Sequence, residues 1–269
     1  MVAKIVELRT PQGQENLAEL LEAVTIRCPE DIHDAALVLA RMAQERGMQV
    51  AVCDDISSKE PITDADGTVL NADIFHWLND KAPWWEDHRL ALHSPVPRAC
   101  RYESEPFWVN EDGFNTEWPN SYLDEIDLSD FEKHALCKAA IVIPIHLPFG
   151  QISANSFISM DRSKEDLSEE FAKYGSLYAQ VTRRFVTGYV QAMRTKRRIP
   201  SNCVLSKREV ECLRWAAIGK TDREISMILE RSHATIRYHI HRAGEKLDSV
   251  NRAQTIFKAG QLGYLGASS

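Results

Sequence analysis

The stretch from Leu205 to Leu247, LSKREVECLRWAAIGKTDREISMILERSHATIRYHIHRAGEKL, carries three helical patterns in succession, each opened by a capping residue. Ser206 followed three residues later by Glu209 is the reciprocal arrangement that satisfies two orphan N–H groups, and Val210, Leu213, Ala216 and Ala217 then share one helical face. This predicts a first helix over Lys207 to Ile218, stopped by Gly219 in the left-handed conformation. Thr221 with Glu224 repeats the capping box, and Ile225, Ile228 and Leu229 supply a buried stripe for a second helix. Ser232 and Thr235 open a third, with Ile236, Ile240, Ala243 and Leu247 facing inward. Its outward side is left with Arg237, Tyr238, His241, Arg242 and Lys246.

A helix entering the major groove needs this division, because one stripe holds it on its scaffold while the other offers donors to base edges and phosphates. Periodicity alone also fits a solvated polar face on an ordinary helix. The residue detail goes further. Glu209, Leu213, Gly219, Lys220, Thr221, Glu224, Ile225 and Leu229, continued without gaps by Ser232, Thr235, Ile236, His239, Lys246 and Leu247, resemble the LuxR-type helix-turn-helix. The resemblance implies double-stranded DNA as partner, with Lys220, Thr221, Thr235, Arg237, Tyr238, His241, Arg242 and Lys246 as candidate contacts. Arg237 and His241, one turn apart, are expected at base edges, and Thr235, Arg242 and Lys246 at the backbone. The last helical pattern, Ala253, Ile256, Phe257, Gly260 and Leu262 after Asn251, resembles the family's dimer helix. It implies a homodimer on a palindromic operator with half-sites about one helical turn apart, and RNA polymerase as a further partner.

Length suggests a medium domain joined to a small one, since 269 residues exceeds the common single-domain size. Charge divides the same way. Residues 201–269 hold 11 Lys and Arg against 7 Asp and Glu, a net +4, whereas residues 1–200 hold 21 against 32, a net −11. An acidic body repels nucleic acid, so DNA contact is confined to the C-terminal part and to the basic run Arg194, Lys196, Arg197 and Arg198 before it. No run approaches the roughly 20 apolar residues that cross a bilayer, and the N-terminus lacks an apolar core of signal-peptide length. A cytoplasmic protein without membrane contact is expected. The six cysteines are scattered with no C-x-x-C pair or His partner at ligand spacing, so neither a metal nor another cofactor is expected, and the thiols should be reduced.

The N-terminal part reads as mixed helix and strand. Leu17, Leu20, Leu21 and Val24 form one amphipathic pattern; Ile32, Ala36, Leu39 and Ala43, after Pro29 and before Gly47, form a second. Residues 48–54, MQVAVCD, read as a strand, and residues 64–67, Asp-Ala-Asp-Gly, as a turn toward a possible partner strand. Asp54 and Asp55 at that strand's end would suit a phosphoacceptor domain, but the repeating parallel β-α frame such a domain requires is missing. Ala139 to Met160 reads as a hairpin turning at Pro148 to Gly150. Leu167, Phe171, Tyr174, Tyr178, Val181 and Phe185 then mark a long closing helix. Five of the six tryptophans lie between Ile74 and Trp118, in a window that also holds Phe75, Tyr102, Phe107 and Phe114. Rings with a polar handle make rigid pocket walls, although they serve equally as plain core, so a pocket is sought here.

This element order resembles the α-β-α ligand-sensing domain of quorum-sensing LuxR-type regulators, which bind acyl-homoserine lactones. Residues 143–151, IPIHLPFGQ, are similar to the family's V-P-V-H-G-P-x-G segment, and Ser94 to Val96 and Pro106 to Trp108 to its D-P-V and aromatic-Trp segments. The resemblance makes His146 part of that segment rather than a catalytic base. It implies a pocket built from Trp84, Trp85, Ser94, Tyr102, Phe107, Trp108, Leu147 and Ser156, with departures. Ser94 stands where the family's Asp accepts from the ligand amide, Leu147 stands at a Gly position, and Lys81 and Trp85 fall where the family has its Trp and Tyr. Glu103 or Glu105 is the candidate substitute for the missing Asp. Tight binding of ordinary acyl-homoserine lactones is therefore not expected.

The fold expected is α+β, an α-β-α sandwich sensing domain over residues 1–190, a linker over 191–203 and an all-α helix-turn-helix domain over 204–269. A sequence-specific transcriptional regulator, controlled by a small-molecule effector in an altered lactone pocket, is the function expected. Two others stay open: an effector-independent regulator whose first domain dimerises or binds protein, and an enzyme with a regulatory tail. No nucleophile-base-acid arrangement, phosphate loop or metal cluster favours the enzyme.

Overall fold

The computed structural model describes residues 17–58, 60–77, 94–193 and 203–266. The chain forms two compact units that divide near residue 193. In the first, α1 (Leu17–Ala23) and α2 (Ile32–Gln44) lead into β1 (Met48–Cys53). Then come α3 (Pro95–Ala99), β2 (Phe107–Asn110), β3 (Gly113–Asn115), α4 (Phe131–Ala135), β4 (Ala139–His146), β5 (Ile152–Ser159) and the long α5 (Ser168–Ala192). The five strands make one antiparallel sheet in the order β1-β5-β4-β2-β3. Antiparallel pairing throughout rules out the parallel frame of a phosphoacceptor domain. The turn at residues 64–67 closes only on an isolated bridge between Thr63 and Val69, and β1 finds its partner in β5 instead.

Alternation along the strands sends successive side chains to opposite faces, and the register shows which residues share one. Val50, Phe157, Ile141 and Trp108 lie side by side across four strands, as do their sequence neighbours Ala51, Ser156, Val142 and Phe107. The first row packs with α1, α2 and α5 in a core that includes Ile32, Leu39, Tyr178 and Phe185. There Phe157 stacks on Tyr178 with ring centres 4.0 Å apart. Gly188 lets α5 pass close to the chain at Ile26, where an added Cβ would lie 2.8 Å from the Ile26 carbonyl oxygen. The second row contributes to a separate core with Val96, Ala99, Cys100, Leu123 and Phe131. The free edge of β1 is covered by one side chain: the Asn71 amide donates to the Val52 carbonyl at 2.8 Å and accepts from the Val52 N–H at 3.0 Å. A bare strand edge is thereby given the pairing of a neighbouring strand.

The second unit comprises α6 (Lys207–Ala217), α7 (Asp222–Ile228), α8 (His233–Lys246) and α9 (Arg252–Gln261). Its caps form as the residue types require. Ser206 accepts from the Glu209 N–H at 3.3 Å while the Glu209 carboxylate accepts from the Ser206 N–H at 2.7 Å. Thr221 and Glu224 make the same exchange at 3.3 and 2.8 Å, and Ser232 accepts from the Thr235 N–H at 3.1 Å. Leu213, Ile225, Ile236, Ala243, Leu247 and Ala259 are fully or almost fully buried at the centre. Ile228, expected in the stripe of α7, is 41% exposed. Leu229, the residue after it, packs against the core instead, so the buried stripe passes from Ile225 to Leu229. Among the described residues no helix is long and apolar enough to cross a membrane.

Candidate nucleic-acid interface and small-molecule cavity

The α8 helix, held by Ile236, Ile240, Ala243 and Leu247, turns its other side to solvent. His233, Arg237, Tyr238, His241 and Arg242 are exposed there, Tyr238 by 60%. Arg237 and His241 stand one turn apart on this side. Arg242 is paired with Glu245 at 2.6 Å, and His241 lies 3.6 Å from the same carboxylate. A phosphate approaching Arg242 therefore competes with Glu245. Thr235 is half-buried and its hydroxyl meets that of Ser232 at 2.8 Å, beside the helix N-terminus. Thr221 caps α7, and Lys220 lies 3.6 Å from Glu224, so both sit at the entrance of the supporting helix. Arg252 anchors that entrance through Asp222 and the Lys220 carbonyl.

Lys246 departs from the outward position expected of it. Its ammonium donates to the Glu209 carboxylate at 2.7 Å, tying α8 to the start of α6. Glu209 is only 5% exposed. Burial pushes the Glu209 carboxyl up, but the Lys246 and Ser206 hydrogen bonds outweigh it and hold the group below its ordinary value. The basic run Arg194, Lys196, Arg197 and Arg198 lies outside the described residues.

In the first unit a cavity of about 70 Å³ opens on the sheet face opposite the long helix. Its floor is Ala51 and Cys53 of β1, Ala140 of β4, and Ala154 and Ser156 of β5. Five small side chains on one face of three adjacent strands leave space that larger residues would fill, well above the ~10–15 Å³ that one water needs. The walls are Ser94, Val96 and Pro97 at the start of α3, Trp77, and the segment His134 to Cys137 that ends α4. No Asp, Glu, Lys or Arg is among the described residues lining it. Burial pushes the Cys53 and Cys137 thiols up to about 12, so both are neutral. Among the described residues no group of His, Cys, Asp and Glu could hold a metal ion.

Of the pocket residues expected from sequence, Ser94 and Ser156 meet in this cavity. Phe107 is wholly buried on the same sheet face but does not line it. Trp108, one residue further along β2, and Leu147 instead pack against the core on the opposite face. Tyr102 is 51% exposed and stacks on Tyr122, with ring centres 5.2 Å apart. Trp84 and Trp85 lie outside the described residues. Neither proposed substitute for the missing Asp reaches the cavity. Glu105 is exposed, and the Glu103 carboxylate accepts from the N–H groups of Ser104 and Glu105 and the amide of Asn120. His146 is structural: its Nε2 lies 3.0 Å from the Cys100 carbonyl and 3.2 Å from that of Glu103. Trp77 lies in the aromatic window but was not among the pocket residues expected, and His134 and the floor other than Ser156 were missed. Part of the floor had a signal, the alternation of the small Ala51 and Cys53 with Val50 and Val52 along β1.

Residues 203–259 match the model of the family described as "Bacterial regulatory proteins, luxR family". The transcriptional activator protein VanR of Vibrio anguillarum is 34% identical over 128 residues, 48% of this chain and about half (52%) of that protein's length. The quorum sensing-dependent transcriptional regulator RpaR of Rhodopseudomonas palustris is 36% identical over 196 residues, which cover 70% of this chain and 73% of RpaR. The crystal structure of Escherichia coli SdiA superposes over 92% of this chain and 96% of its own, with 19% identity and a TM-score of 0.46. With residues 203–259 matching the family model and RpaR 36% identical over 73% of its own length, the chain belongs to the LuxR-type family of DNA-binding transcriptional regulators.

Proposed function

We propose that this regulator reads a palindromic operator as a homodimer through the exposed side of α8 and is controlled by a small molecule held in the cavity. The observation that carries the DNA part is the division of α8, with four buried positions on the scaffold side and Arg237, Tyr238 and His241 exposed opposite them. Arg237 and His241 take the base-edge positions. Thr235 and Arg242, with Lys220 and Thr221 at the entrance of α7, take the backbone, in keeping with the phosphate preference of helix N-termini and cations. Lys246 serves the scaffold through Glu209 instead. The domain division is 1–190 for sensing, 191–203 for the linker and 204–269 for DNA binding, in the cytoplasm and without catalysis. RNA polymerase is the further partner a transcriptional activator of this type would touch.

The cavity supports the effector reading, because it places the Ser94 and Ser156 positions together on a sheet face cleared of large side chains. The experiment is selection from a random-sequence duplex library with the purified full chain, paired with native mass spectrometry of the same preparation. A two-fold symmetric consensus together with a stoichiometric copurified mass is the expected result. An asymmetric consensus overturns the dimeric operator. A preparation free of any bound mass, with DNA binding unaltered by added cell extract, overturns effector control in favour of an effector-independent regulator.

A further inference from the structure

Resting on the effector reading above, we infer that the cavity selects an uncharged ligand presenting an ester, ketone or ether oxygen at Ser94, and that it has no requirement for an amide N–H. Ser94 is 8% exposed, stands at the head of α3 and lines the cavity, and its hydroxyl does not cap the helix that follows it. A hydroxyl can donate or accept, whereas an ionised carboxylate only accepts. A buried carboxylate at this point would therefore demand an N–H from the ligand and repel an oxygen in the same place. A serine accommodates either atom. Neither Glu103 nor Glu105 restores the demand, because the Glu103 carboxylate is already used by two backbone N–H groups and Asn120, and Glu105 is exposed.

Among the described lining residues His134 is the one side chain, thiols aside, that can take a charge. The described lining holds no carboxylate, ammonium or guanidinium to pair with an ion. A charged ligand entering it would lose hydration with no fixed charge to offset the loss. Ser156, on the floor, gives a second hydroxyl that can donate to a carbonyl.

A matched pair of ligands differing in one atom tests this: N-butanoyl homoserine lactone, and the butanoyl ester of the corresponding hydroxy-lactone, in which the amide N–H is replaced by oxygen. Both are titrated into the full-length protein by calorimetry and thermal shift, with butanoate as the charged control. The wild-type chain is expected to bind the ester at least as tightly as the amide, and butanoate not at all. Ser94→Asp is expected to move the ratio toward the amide by about tenfold or more. Ser94→Ala, which adds no bulk or charge, is expected to weaken the ester severalfold without creating an amide preference, which covers the case in which the aspartate variant does not fold. A wild-type preference for the amide of about tenfold, or binding of butanoate comparable with the ester, overturns the inference. So does failure to bind either lactone. The effector reading itself falls only if native mass spectrometry also finds no copurified small molecule.

Discussion

Glu209→Ala removes the carboxylate that ties the third helix of the DNA-binding unit to the start of the first, and its cost can be worked from the geometry. The Glu209 side chain is 6% exposed and that of Lys246 31%, with 2.7 Å between carboxylate and ammonium. Deleting one member of a buried pair costs about 3–5 kcal/mol, because the remaining charge is left without its partner. Lys246 reaches solvent over part of its length, which returns some of that, while the uncapped Ser206 N–H adds a loss of about 1 kcal/mol. A net of about 2–3 kcal/mol is expected, or about 10–20 °C in the melting temperature of a unit this small. Differential scanning calorimetry of the full chain, with hydrogen exchange to assign the transition to Lys207–Lys246, reads it directly. Glu209→Gln keeps an acceptor for the Ser206 N–H and should lose less.

The pH dependence has a definite sign. The folded-state carboxyl lies below its ordinary value of 4.5, so its stabilisation is present above that value and is lost as pH falls through the folded one. The gap between wild type and Glu209→Ala should therefore close in acid. In a double-mutant cycle with Lys246→Met, the combined variant should lose clearly less than the sum. A shift of under about 3 °C for Glu209→Ala at pH 7, or strict additivity in the cycle, would refute the reasoning.

Three further outcomes are expected. Arg237→Ala should flatten preference at one operator position, a discrimination of about 1–3 kcal/mol, in a random-library selection; unchanged ranking of sequences would displace Arg237 from the base edges. Gly188→Ala should destabilise the first unit by about 1–3 kcal/mol in urea unfolding, because the new Cβ meets the backbone of Ile26 and the gain in helix propensity is smaller. Burial, with Asp55 alongside, pushes the Asp54 carboxyl up to about 6. A raised folded-state value means the contribution is present below about pH 4 and lost as pH rises through 6, by up to roughly 3 kcal/mol. Asp54→Asn should flatten that limb of the urea midpoint against pH and raise stability at pH 7.

What the sequence disclosed and what it withheld follow from the range of the interactions. The caps at Ser206, Thr221 and Ser232 were legible because donor and acceptor lie three residues apart, so composition and spacing are the whole of the physics. The hairpin about Pro148 to Gly150 and the long helix ending the first unit are local in the same way. Lys246 was misplaced because its partner is 37 residues distant, and a helical wheel records only that the position is not buried. A long side chain at the margin of a core can turn inward to a charge that no local pattern announces.

The cavity teaches the harder case. Placing an aromatic residue near a pocket by resemblance leaves its face undecided, and in a strand one residue decides it. Trp108 and Phe107 differ by that single step, and the register puts Phe107 beside Val142 and Trp108 beside Ile141, on opposite sides of the sheet. Large rings drew attention because they are conspicuous, yet the space is made by Ala51, Ala154 and Ser156, residues that are conspicuous only when three strands are already in register. A pocket is a deficit of side-chain volume on one face, so its sequence signal is distributed over strands far apart in the chain. Filling the deficit is the sharpest check on this account. Ala154→Leu, at a position 7% exposed, should occupy the floor and abolish ligand binding while leaving Arg237, Tyr238 and His241 in the other unit unaltered. If DNA binding then no longer responds to any ligand but keeps its sequence preference, sensing and reading are separable. If binding and response both persist, the effector occupies some place other than this face of the sheet.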